Sequence, residues 1–140
     1  TRPWQHVLEP LSGYLLLGAM LDESKKFSGE KYNFGPPDEN DFSVSYLINK
    51  MSDCWPGSSW EIDKVNNSKI KEAGLLKLDC KKVKKDLKWV PVLSFDETVQ
   101  MTIDWYKEFY INKNELMLDF ALSQILEYTE LATKRKIIWT

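Results

Sequence analysis

Two breaker clusters, Gly35-Pro36-Pro37 and Pro56-Gly57, cut the first half of this chain into short pieces. Proline locks φ and lacks a backbone donor, so neither a helix nor a central strand runs through such a cluster. Every regular element upstream of residue 57 therefore has to be short. The longest apolar run, Tyr14 to Met20, is far below the roughly 20 residues that a membrane-spanning helix requires.

Between the breakers, helical periodicity is the strongest signal. Glu9-Pro10 opens a helix, because proline fits the first turn and an acid suits its positive end. Leu11, Tyr14, Leu15, Gly18 and Leu21 then recur at i, i+3, i+4, i+7 and i+10. This spacing predicts a helix that buries that face and stops near Ser24. Ser43 is placed to cap a second helix with Val44, Leu47, Ile48, Met51 and Trp55 as its stripe. Asp79 is placed to cap a short helix over 80–87. Ser94 and Glu97 form a capping-box pattern ahead of a helix carrying Phe95, Val99, Ile103, Tyr106 and Tyr110, which ends at Asn112 to Asn114. Ser123 is expected to cap the last helix, "QILEYTELATK".

The short runs "PWQHV", "KYNFG", "WEID" and "LLKLD" read as strands, with a polar loop from Asn66 to Ala73. The resulting expectation is an α/β fold: one small mixed domain of short strands and amphipathic helices over 1–140, without a large parallel sheet. A chain of 140 residues has the length of one domain, which buries about 68–70% of its unfolded surface.

Charge and cysteine usage narrow the function classes. Nineteen basic against 21 acidic residues give a net charge of −2, without the basic excess of a general nucleic-acid binder. Cys54 and Cys80, with His6 the single histidine, do not compose a zinc ligand set. Reduced, buried thiols are expected, and with them a cytoplasmic protein and no membrane partner. The chain starts without Met and is expected to be a fragment or a processed product. Its aromatic content of 13% is high, and large rings favour interfaces. Some rings are therefore expected to pack on something outside these residues, a homo-oligomer contact being one alternative.

Chemistry-bearing groups are few. Tyr46 and Lys50 in "YLINK" match Tyr-x-x-x-Lys, a spacing that sets an ammonium one turn from a phenol, but no glycine-rich nucleotide loop precedes them. The pair reads as coincidence. Lys81 to Lys88 read as a solvated helix face, and His6 as a hydrogen-bonded structural imidazole. Lys69 and Lys71 lie in the polar loop ahead of "LLKLD", a placement where ligand contacts are common. No catalytic residues and no metal ligands are expected.

"TRPWQHVLEPLSGYLLL", "KYNFGP", "LLKLDCKKVKKDLKWVP" and "TVQMTIDWYKEF" occur in the order found in extended short-chain dehydrogenase/reductases that act on nucleotide sugars. The opening string and "LSQILEYTEL" most resemble the 4,6-dehydratase branch. The resemblance implies the C-terminal, substrate-binding part of an NAD-dependent lyase, with CDP-glucose as the nucleotide sugar. An NDP-sugar epimerase and a stand-alone nucleotide-binding or oligomerisation domain are the alternatives.

In such enzymes NAD takes a hydride from sugar C4, water leaves across C5–C6, and the hydride returns to C6. The NAD-binding Rossmann domain and the catalytic residues belong to the N-terminal part, so the resemblance implies that these 140 residues neither bind NAD nor catalyse. It places Arg2 on the substrate diphosphate and Asn33, in "YNFG", on the nucleotide. Lys69, Lys71 and Glu72 match by position a loop in which relatives carry imidazoles.

Overall fold

The computed structural model describes residues 1–62, 74–113 and 116–137. Five α-helices carry it: α1 (Leu8–Glu23), α2 (Val44–Cys54), α3 (Lys81–Asp86), α4 (Phe95–Tyr110) and α5 (Met117–Lys134). A 3-10 turn, Lys25–Phe27, follows α1.

No strand occurs among the described residues, so the expected α/β class is overturned in favour of an all-helical architecture. A strand exists only where backbone donors and acceptors of two segments form a ladder. The segments at 3–7, 31–35 and 75–79 are joined instead through side chains. Gln5 Nε2 donates to the Phe34 carbonyl at 3.0 Å and Asn33 Nδ2 to the Asp79 carbonyl at 3.2 Å, while Trp4 Nε1 leaves the three segments to reach the Phe42 carbonyl at 3.0 Å. Of "WEID", Trp60 to Ile62 are irregular; Asp63 lies outside the described residues, as does the expected loop over 66–73.

The helix starts follow their local chemistry. Ser43 Oγ accepts from Tyr46 N at 3.1 Å and opens α2. Ser94 and Glu97 complete the reciprocal capping box of α4. Asp79 Oδ1 accepts from Lys81 N at 3.0 Å at the start of α3. For α1, His6 does the capping: its Nδ1 accepts from Leu8 N at 3.3 Å. α5 starts at Met117 without a side-chain cap, well before Ser123. Ser123 lies inside that helix and donates back to the Phe120 carbonyl.

The apolar stripe of α1 points the other way from expectation. Leu15 is 77% exposed and Tyr14 58%, whereas Glu9, Ser12 and Gly13 are buried and Leu16, Leu17 and Met20 pack on the core. α1 is apolar almost all round from Leu11 to Leu21, and such a helix can bury either side. Gly13 decides between them. A Cβ there would stand 2.2 Å from the Phe34 ring, so only glycine lets α1 settle on that phenylalanine.

The core forms three clusters along this framework. Phe27, Phe34, Val83, Leu87 and Trp89 join α1, the 3-10 turn and α3. Val92, Leu93, Met101, Tyr128 and Ala132 join α4 and α5. Phe95, Val99 and Ile103 receive Trp4, Leu47 and Met51, which seats α2 on α4.

A buried polar pin ties α1 to α5. The Glu9 carboxylate, 1% exposed, accepts from Val92 N, Leu93 N and the Tyr128 hydroxyl. Ser12 Oγ receives Trp89 Nε1 at 3.0 Å. Burial pushes the Glu9 carboxyl above its ordinary range, and the bonds from Leu93, Val92 and Tyr128 pull it partly back. Burial likewise raises the Tyr128 phenol.

Candidate functional site

Arg2 and Asn33 approach the same stretch of chain, residues 76–79. Half-buried Arg2 lines a narrow crease with Pro36, Asp38, Asp41, Lys77 and Leu78. Its Nη1 donates to the Thr1 carbonyl at 2.7 Å. Asn33 is exposed and reaches the Asp79 carbonyl. Gly35 makes this approach feasible, because a Cβ at that position would sit 3.0 Å from both Cys80 Sγ and Leu78 Cδ1.

Mixed charge marks the crease. Lys77 Nζ pairs with Asp41 Oδ2 at 2.5 Å, so one of the two carboxylates that line the crease is paired. Its volume is about 20 Å³, enough for one water and far below the roughly 300 Å³ at which small-molecule pockets begin. The described residues thus supply an edge with a guanidinium and an amide, both suited to phosphate and base contacts.

Lys69, Lys71 and Glu72 lie outside the described residues. Gly74, the first described residue after them, accepts from Thr1 N at 2.6 Å.

A larger cavity, about 360 Å³, opens beside His6. Gln5, Val7, Thr102, Trp105, Tyr106 and Gln124 contribute to its wall. The sequence gives little sign of it, since its walls come from three distant segments. Tyr106, expected on the buried face of α4, stands at this cavity 42% exposed. Burial lowers the His6 imidazole below its ordinary range, which keeps it neutral. With Nδ1 accepting from Leu8 N, the ring proton sits on Nε2. This agrees with a structural, helix-capping histidine.

The Tyr46–Lys50 spacing does not assemble a proton-transfer pair. Lys50 Nζ bonds Asp96 Oδ1 at 3.1 Å, and Tyr46 stacks on Phe42 with centroids 4.8 Å apart. Asp96, by hydrogen bond and charge, and after it the Tyr46 phenol raise Lys50 rather than poise it near neutrality.

The residues present do not fit NAD. Glycines stand at positions 13, 18, 29, 35, 57 and 74, none in Gly-x-x-Gly-x-x-Gly spacing. No strand feeds a helix N-terminus among the described residues, as a dinucleotide site requires. Among the same residues there is no group of three or more potential metal ligands, and no helix is long and apolar enough to cross a membrane.

No family model matches the chain. Over 135 residues it is 40% identical to the CDP-glucose 4,6-dehydratase of Salmonella typhimurium, an alignment covering 95% of this chain and 36% of that protein. The chain thus spans about a third of the length of the curated relative it matches.

Proposed function

We propose that these 140 residues are the substrate-holding part of a nucleotide-sugar 4,6-dehydratase acting on CDP-glucose. The observation that carries this reading is the 40% identity maintained over 95% of the chain. Support comes from the shared approach of Arg2 and Asn33 to residues 76–79. In this reading the Arg2 guanidinium donates paired hydrogen bonds to the diphosphate, and the Asn33 amide contacts the nucleotide. In the same reading Lys69, Lys71 and Glu72 add further contacts to the substrate.

The function of such an edge is to fix the nucleotide half of the substrate, so that the sugar is held in one orientation for a reaction performed elsewhere. NAD and the acid/base residues are assigned to a Rossmann domain in the rest of a longer chain. The crease itself is too narrow to enclose a nucleotide, so a complete pocket requires that second part.

Titration of the full-length protein with CDP-glucose, UDP-glucose and dTDP-glucose, followed by calorimetry and product analysis, tests the reading. Tightest binding and conversion to the 4-keto-6-deoxy sugar with CDP-glucose are expected. Preference for another nucleotide, or epimerised product, would replace the substrate assignment. Binding without any conversion would favour a stand-alone nucleotide-binding domain.

A further inference from the structure

We propose that the lysine-bearing end formed by α3 and the 3-10 turn docks reversibly, by charge, on an anionic lipid surface. The inference goes beyond the substrate reading and is independent of which nucleotide sugar the full-length protein binds.

The net charge of −2 averages two unlike ends. α4 carries four acids and one lysine, and α5 three acids and one lysine. α3 carries four lysines and one acid, and the 3-10 turn two lysines and no acid. The two basic elements lie together, because Phe27 of the turn packs with Val83 and Leu87 of α3. The segment at 30–32 joins them. Glu30 pairs with Lys82 and the Tyr32 hydroxyl donates to Asp86, with Lys31 exposed between the two.

The acids of this end are engaged. Glu30 and Asp86 hold the partners just named, and Asp79 Oδ1 accepts from Lys81 N. Lys81 and Lys84 share a hollow with Asp38 and Glu39, whose charges offset theirs. Lys25, Lys26, Lys31, Lys85 and Lys88 remain. All five are exposed and make no ion pair among the described residues. A merely solvated helix face would not require this second group of lysines, gathered from a segment more than 50 positions upstream.

Lysine alone favours a diffuse anionic surface over a nucleic acid. Arg2 lines the crease and Arg135 pairs with Glu97, so the planar fork that grips phosphodiesters and guanine edges is missing from this end. Its rings are closed to base stacking as well. Phe27 and Trp89 are buried, and Lys82 Nζ covers the Tyr32 face at 4.8 Å. Each lysine near an anionic bilayer raises partitioning about fivefold, and a basic patch without a lipid anchor binds reversibly. The acidic end on α4 and α5 is repelled by the same surface, which orients the molecule.

Flotation of the full-length protein with phosphatidylcholine vesicles, made with and without phosphatidylglycerol, tests the proposal. Binding is expected only with phosphatidylglycerol, and it should vanish at about 1 M salt, where the screening length is about 3 Å. Lys85→Gln/Lys88→Gln and Lys25→Gln/Lys26→Gln should each weaken it about twenty-five-fold, two lysines at about fivefold apiece, with Tm unchanged. Lys134→Gln/Lys136→Gln, at the other end, should leave it as it was. Absence of binding at low salt would overturn the proposal, and so would equal losses from all three pairs. Tighter binding of a single-stranded RNA by the same lysines would replace the lipid with a nucleic acid. Displacement from the vesicles by glycerol 3-phosphate at constant ionic strength would replace it with a free phosphate.

Discussion

The Glu9 carboxylate accepts the Tyr128 hydroxyl at 2.8 Å, joining the first turn of α1 to α5. The same carboxylate takes Val92 N and Leu93 N, so it fixes the approach to the Ser94 cap of α4 as well. A buried acceptor facing three donors suits an ion, and an amide in its place presents N–H to N–H. Glu9→Gln should therefore destabilise the fold by about 1–3 kcal/mol, as expected for buried donors left unpaired. Tyr128→Phe should cost a similar amount. A double-mutant cycle by urea denaturation should show the two losses to be less than additive, because they remove the same bond.

The two glycines of α1 predict opposite responses to one methyl group. At Gly13 a Cβ would collide with Phe34 Cδ1 and Cε1, at 2.2 and 2.3 Å. Gly13→Ala should cost about 1–3 kcal/mol, the range for overpacking a well-filled core. At Gly18 a Cβ would meet nothing within 4 Å, so Gly18→Ala in the isolated 140 residues should add up to about 1 kcal/mol through helix propensity. Thermal melts of the two variants check the sign of each.

Glu97 gives an acid dependence with a defined sign. It receives Arg135 Nη2 at 2.6 Å and closes the Ser94 capping box. The Arg135 bond, with the cap bonds, moves its carboxyl from an ordinary 4.5 to about 2. A carboxyl lowered in the folded state binds protons more readily when unfolded, so its contribution is complete above pH 4.5 and fades as pH falls toward 2. Glu97→Gln should flatten this part of the stability–pH curve while lowering stability at neutral pH. Equilibrium unfolding at stepped pH between 6 and about 2 measures it; parallel curves for the two proteins would assign the acid loss to other groups.

What could be read from sequence was whatever a few neighbouring residues determine. Ser43 and the Ser94–Glu97 box mark their helices because a cap needs only a hydroxyl and the next turn. The strands failed because a ladder is a relation between segments, and the candidates at 3–7, 31–35 and 75–79 meet through Gln5 and Asn33 side chains instead. The α1 stripe was recognisable as a stripe, but its direction is set by Gly13 meeting Phe34, a contact no periodicity contains. α5 begins at Met117 without a capping side chain, so the nearest serine drew its predicted start too far downstream. Arg2 and Asn33 stood out through the family resemblance. Their common approach to residues 76–79 depends on Asn33 reaching Asp79, 46 positions away.

Arg2 tests the candidate site most directly. It lies in the crease with Asp38 and with the Lys77–Asp41 pair, beside Pro36 and Leu78. A charge-assisted hydrogen bond is worth about 1.5–3 kcal/mol. Arg2→Ala in the full-length protein should therefore weaken CDP-glucose binding about ten- to a hundredfold. Arg2→Lys should recover only part of this, since an ammonium lacks the planar fork that grips two phosphate oxygens. The loss should shrink when CMP replaces CDP-glucose, because the second phosphate is gone. Calorimetric titration of the three proteins with both ligands decides it: equal affinities would make Arg2 a structural residue, and equal losses with both ligands would move its contact away from the diphosphate.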